Sequence, residues 1–422
     1  MRARRLTAVA LAFVAALAVF AATRGDRPAA AGPPAGLALD ARPADSTAEE
    51  VRRLQAAVRR GEPREAELAA AYAQRARETG DPSFYARAEA VLGPNPAGAP
   101  ALTEAAALAA ARHDFRGALG LVRRARAAAP DVNAAFPVLV DALVELGRYD
   151  AAERTLQRMI GRHPDLGGYA RISYLRELHG DLDGAAAAMA RAVAAAGSAR
   201  SFAADTNALL GELELRRGRE TAAGRAFRLA LAAVPGHPAA SAGMARLAAA
   251  GGREDVAIAR WRRLVARMPL PEYAIALGEA ELAAGRSGAA ERAFALVRAQ
   301  EAILRDAGVD VDAELAVFEA SHVSARRAVT LGRRAWASAP SVRSADALGW
   351  ALTRAGRPET GLRWAHRALR LGWRDPLALH HAGFAALAAG ERAEGERLLR
   401  AALRDGLAIN PLLAAEAREA LR

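Results

Sequence analysis

The sequence has 422 residues, 52% hydrophobic and 25% charged, with 36 Gly, 20 Pro and no Cys, which excludes a collagenous or disulfide-stapled chain and suffices for a large core. The formal net charge is +12, and all 59 residues counted as Lys+Arg are Arg. The absence of Lys removes the phosphate-cradling G-x-x-x-x-G-K loop and Schiff-base chemistry, and the absence of Cys removes thiolate nucleophiles and thiolate metal sites.

The chain opens with Arg2, Arg4 and Arg5, followed by a predominantly apolar run from Leu6 to Ala22. A basic start, an apolar stretch and small residues at Val19 and Ala21 fit a secretory signal peptide. The same run reaches the lower length limit of a membrane span, so an N-terminal anchor over residues 1–22 is the alternative. Either places the rest of the chain outside the cytoplasm, secreted, periplasmic or membrane-anchored. Residues 23–47 carry Pro28, Gly32, Pro33, Pro34, Gly36 and Pro43 among alanines, a composition that reads as a disordered tether.

From about residue 64 a repeat takes over. Turn residues recur at Gly80, His113, Gly147, Gly180, Gly218, Gly252, Gly285, Val323, Gly356 and Gly390, spaced by 33 to 38 residues with a mean of 34.4. A small residue follows each turn at +5, a mostly large one at +9, a mostly small one at +12 and often Pro at +17. Ala223, Phe227, Ala230 and Pro235 are one copy; Ala257, Trp261, Leu264 and Pro269 are the next. Offsets 5, 9 and 12 form one helical stripe, and the Pro ends that helix. The first copy departs, with Tyr85 and Glu89 at the +5 and +9 places, and the eighth carries Val323 at its turn. The two 38-residue spacings add residues near 195–201 and 300–308.

This spacing resembles the tetratricopeptide repeat family, whose unit is a helix–turn–helix of 34 residues. The stretch Leu143 to Ala152 is close to the family's turn and second-helix start, and Leu277-Gly278 and Leu348-Gly349 are similar to its first helix. The resemblance implies an all-α, right-handed superhelix of about ten hairpins over residues 48–422, closed by a cap helix at 410–422. With its N-terminal element and tether, the chain is also similar to exported bacterial proteins of this family with no assigned activity.

In such a solenoid the first helices line the concave side, at offsets −13, −10, −6 and −3 from the turn. There the sequence places Asp141, Tyr174, Glu177, Glu212, Glu279, Asp346, Trp350 and Phe384, the expected partner-binding residues of an acidic groove, together with Asp205, Glu272, Asp310 and His380 and a few bases, Arg77, Arg246 and Arg343. Helix-dipole preference alone could account for Asp205, Glu272 and Asp310. On the second helices Arg recurs at +7 (Arg154, Arg225, Arg292, Arg363, Arg397) and +11 (Arg124, Arg158, Arg191, Arg263, Arg334, Arg367), an outward basic stripe. The expected function is a non-catalytic scaffold that holds a protein or peptide segment, basic in character, in a preformed groove. The alternative is an auxiliary subunit of an envelope enzyme or transporter that docks by the arginine face, and an anionic membrane surface is a further partner of that face; export argues against nucleic acid.

No catalytic residue, cofactor or metal ligand is expected. The eight His show no H-E-x-x-H pattern, and His380 and His381 are adjacent, hence about 100° apart on a helix. Asp181-Leu182-Asp183 reads as a helix cap, Asp310-Val311-Asp312 lacks the rest of a calcium loop, and the four tryptophans Trp336, Trp350, Trp364 and Trp373 read as packing between repeats.

Overall fold

The computed structural model describes residues 46–130, 133–197 and 199–422. The export or anchor element at 1–22 and the tether up to residue 45 lie outside the described residues. Helix α1 (Ser46–Arg59) precedes ten helical hairpins: α2 and α3 (Glu65–Thr79, Ser83–Leu92), α4 and α5 (Gly98–Ala111, Phe115–Ala128), α6 and α7 (Ala135–Glu145, Tyr149–Arg162), α8 and α9 (Leu166–Leu178, Leu182–Ala195), α10 and α11 (Arg200–Arg216, Glu220–Ala233), α12 and α13 (Pro238–Ala250, Glu254–Arg267), α14 and α15 (Pro271–Ala283, Ser287–Asp306), α16 and α17 (Asp312–Phe318, Ala325–Ser338), α18 and α19 (Val342–Arg354, Pro358–Leu369), and α20 and α21 (Pro376–Ala388, Arg392–Arg404). A final helix, α22 (Pro411–Ala420), is capped by Asn410. The described residues contain no strand.

The stripe at +5, +9 and +12 is the core of each hairpin. Ala118, Val122 and Ala125 are fully buried, as are Ala223, Phe227 and Ala230, and Ala290 and Val297 flank the buried Phe294. Small residues let the two helices approach while the large middle residue fills the space between them, the interdigitation that fixes helix pairs. The prolines at +17 sit two residues past the ends of α5, α7, α11, α13 and α17, where the missing amide costs nothing.

Nine of the ten turn positions have positive φ, and the non-glycine among them, His113, is the only such residue described (φ 64°). The tenth, Val323, is β-branched and strongly disfavoured in that region. The chain leaves α16 instead through a π-helical turn, Glu319–Val323. The two insertions take different forms: the first accompanies a 17-residue first helix, α10, and the second a 20-residue second helix, α15. In the first hairpin α3 has 10 residues and ends at Gly93 (φ 70°), which Pro94 follows, with Ala88 fully buried.

The solenoid closes on itself. The turn of each early hairpin meets a loop about five and a half repeats later: the His113 ring nitrogen Nδ1 lies 2.6 Å from the Asp310 carbonyl, the Asp310 amide donates to the Arg112 carbonyl (3.0 Å), and the Val342 amide donates to the Tyr149 hydroxyl (2.9 Å), contacts spanning 197 and 193 residues for the His113 and Tyr149 pairs. Arg116 adds bonds to the carbonyls of Ala337 and Ser338. Gly147 and Gly180 serve both the turn and this seam. Each has positive φ, and a Cβ there would run into the carbonyl oxygen of Pro340 or Gly372, so only glycine meets both demands. Val342, Trp373 and Ala378 join the same apolar core as residues 106–213.

Candidate functional site

The inward offsets do face the interior, but closure turns much of the expected groove into a packed lumen in which the acids meet internal partners. Asp141 is gripped by the guanidinium of Arg171 (2.8 and 2.5 Å), itself only 1% exposed. The Tyr174 hydroxyl donates to Glu145 (3.0 Å) and accepts from Arg343 (3.0 Å) of the next superhelical turn. Glu177 receives Arg216 (2.6 Å), which also lies 3.8 Å from Asp375, and Glu212 receives Arg246 (2.6 Å). Glu279 is buried between His322 (3.0 Å) and Asn410 (2.8 Å), the residue that caps α22. Asp346 faces Nδ1 of His381 (3.0 Å). The Trp350 indole stacks on His381 (centroids 4.5 Å, 11°) and donates to Ser321 (2.8 Å), while Phe384 packs against His380 (4.6 Å). Of the eight residues, Glu212 and Phe384 retain partial exposure and the other six are buried. Paired in this way, a buried carboxylate has little capacity left for an outside ligand unless the coil opens.

Burial governs titration here. It raises the Asp141 carboxyl against the opposing pull of Arg171, and holds the His380 imidazole well below its usual value, with the neighbouring His381 acting in the same direction. Both histidines are core residues. Asp181 accepts from the Gly184 amide (2.8 Å) and so caps α9, and Asp310 accepts from the Asp312 amide (3.0 Å). The tryptophans divide between two places. Trp336 and Trp364 meet edge-on across hairpins 8 and 9 (4.7 Å) beneath Arg367, whereas Trp350 and Trp373 lie in the core.

The lumen is not filled everywhere. Between the turns of hairpins 1 and 2 and the loops that enter α10, α12, α14 and α16 there is a cavity of about 380 Å³, lined by Arg77, Tyr85, His113, Asp205, Tyr273 and Glu314 among others. Asp205 sits inside α10 and faces His237 (2.9 Å). Outside, the pattern is simpler. All eleven arginines at +7 and +11 are exposed, and of these only Arg334 (to Asp312, 2.8 Å) and Arg397 (to Glu394, 3.6 Å) form an ion pair among the described residues.

A family model described as tetratricopeptide repeat matches residues 109–176, from the end of α4 into α8. Over these residues the chain matches the tetratricopeptide-repeat (TPR) family, and its helical hairpins form a TPR-like solenoid. Solved structures that resemble it include a thermophilic TPR protein of Thermus thermophilus, 23% identical over 37% of this chain and 84% of its own, with a TM-score of 0.33. A TPR protein of Parabacteroides merdae is 12% identical over 68% of this chain and 98% of its own, with a TM-score of 0.36. Human IFIT1, in a dimer with m7Gppp-AAAA, is 14% identical over 85% of this chain and 86% of its own, with a TM-score of 0.47. A search of the curated proteins finds no match. TPR folds generally serve as non-catalytic scaffolds for protein–protein interaction, and TPR proteins commonly bind protein partners.

Within this TPR-like solenoid the offsets −13, −10, −6 and −3 overlook several interior polar residues. Glu104, Arg171, Glu314 and His381 all stand at −9, where other copies carry Ala71, Val138, Leu209, Gly243, Ala276 or Ala347, and Arg216 stands at −2. Ionisable residues sharing a column with apolar or small ones are the signal that would have found the first four.

Proposed function

We propose that this protein works outside the cytoplasm as a non-catalytic scaffold or auxiliary subunit, and that an acidic protein partner docks on the arginine stripe of its convex face. The observation that carries this reading is the contrast in commitment: the interior acids are paired and mostly buried, whereas all eleven stripe arginines are exposed. The +11 row also presents Leu229 (59% exposed) and Leu296 (38% exposed) on either side of Arg263. Arginine beside exposed aliphatic surface is the mixture that favours protein partners, since arginine enriches contact hot spots and apolar contact supplies the buried area. The extracytoplasmic placement rests on Arg2, Arg4 and Arg5 ahead of the apolar run to Ala22.

A second reading keeps the partner on the concave side, as a basic segment held by Asp141, Glu177, Glu212, Glu279 and Asp346 beside Tyr174, Trp350 and Phe384. The partial exposure of Glu212 and Phe384 favours it. The two separate in a pull-down from envelope extract of the source organism with the immobilised full chain, bound proteins being identified by mass spectrometry. Convex docking predicts that the triple variant Arg158→Glu, Arg191→Glu, Arg263→Glu loses an acidic partner that Glu212→Gln keeps; the opposite result establishes the concave reading.

A further inference from the structure

The cavity at the seam has an acidic end formed by Glu314 and Glu272. Glu314, near the start of α16, lines the cavity and is only 8% exposed. Its carboxylate turns on its own backbone and meets no other side-chain donor among the described residues. Glu272, in the first turn of α14, lines the same end, accepts a hydrogen bond from the Tyr273 hydroxyl and has Arg246 as its opposing charge, and His113 faces both carboxyls. Other charged groups nearby have partners: Arg246 binds Glu212 while facing Glu272, Asp310 caps the Asp312 amide, His237 faces Asp205, and Arg267 donates to the Gly236 carbonyl. Arg77, across the cavity, donates to Gln74. Leu304, Val309, Val311 and the Tyr273 ring form apolar walls.

A buried carboxylate that meets no side-chain donor, such as that of Glu314, is expensive, and a second carboxylate in the same cavity repels it. Burial indeed raises both, Glu314 to about 7. Among the described residues no three His, Asp or Glu side chains converge where a metal ion could sit. Carboxylates set apart along an apolar and phenolic wall suit a larger cation instead, one that spreads its contacts and places an apolar body against the ring.

We propose that this seam cavity binds a small organic cation, a primary amine or guanidinium on an apolar body, with the charged group on Glu314 and Glu272 and the body against Tyr273, Leu304 and Val309. The site lies apart from the convex stripe and does not depend on what docks there. Titration calorimetry of the full chain with 2-phenylethylamine and agmatine tests it, with 2-phenylethanol and phenylacetate as the uncharged and anionic counterparts. At least one amine should bind and neither counterpart should. Glu314→Gln should weaken that binding tenfold or more, and Val309→Trp, which fills the cavity while keeping both carboxyls, should abolish it, with thermal melts showing that each variant folds. Absence of binding by both amines, binding of phenylacetate as tight as that of the amine, or amine binding unchanged in both folded variants would each overturn the proposal.

Discussion

The seam between successive superhelical turns is built in two ways. Where hairpins 3 and 4 meet hairpins 8 and 9 it is tight, with Gly147 under the Pro340 carbonyl, Tyr149 bonded to the Val342 amide and Arg343 on Tyr174. Where hairpins 1 and 2 meet hairpins 6 to 8 it touches at His113 and Asp310 but leaves a cavity beside them. The tight stretch joins two apolar runs and two glycines, whereas the loose stretch meets the degenerate first hairpin, whose Tyr85 replaces a small residue. A regular repeat thus closes the coil, and an irregular one leaves room in it.

The largest effect is expected where the tight seam is broken. Gly147→Val combines a disfavoured φ with a clash on Pro340 and should cost about 3 kcal/mol or more, read as a lower melting temperature together with a larger radius in solution scattering. Arg171→Met leaves Asp141 buried without its guanidinium and should cost about 3–5 kcal/mol. Adding Asp141→Leu to that variant should recover most of the loss in denaturant unfolding, since it removes the unpaired charge.

The loose region responds to pH. Burial raises Glu104 to about 8, with Arg77 opposing the shift. The folded chain therefore keeps a proton that the unfolded chain releases near pH 4.5, so this group's contribution to stability is present at low pH and falls as pH rises from about 4.5 to about 8, by at most about 1.4 kcal/mol per unit. Glu104→Gln should raise the melting temperature at pH 8.5 and leave it nearly unchanged at pH 4.5. The smallest effect belongs to the convex face, where Arg158→Glu, Arg191→Glu and Arg263→Glu should each change stability by no more than about 0.5 kcal/mol in a thermal melt, which qualifies the triple variant as a test of docking.

The local architecture was legible in the sequence because it depends on near neighbours. The turn residues, the core stripe and the side of the helix taken by Arg263 or Glu279 all follow from helical period and a repeat of 34 residues. The closure was not legible, because superhelical pitch depends on small packing angles summed over five repeats, and no local pattern records that Gly147 will lie against Pro340. For the same reason Asp141 and Glu177 read as lining an open groove, while their partners Arg171 and Arg216 stand outside the four inward offsets. The cavity at Glu314 is a consequence of closure and was hidden with it.

Closure is the claim on which the lumen, the paired acids and the cavity all depend. The absence of Cys allows spin labels at Arg148→Cys and Ala337→Cys, both exposed and at the two sides of the tight seam. Double electron–electron resonance should give a short, narrow distance distribution that broadens and lengthens when Gly147→Val is added. A long, broad distribution in the otherwise unaltered chain would contradict the account and restore an open acidic groove.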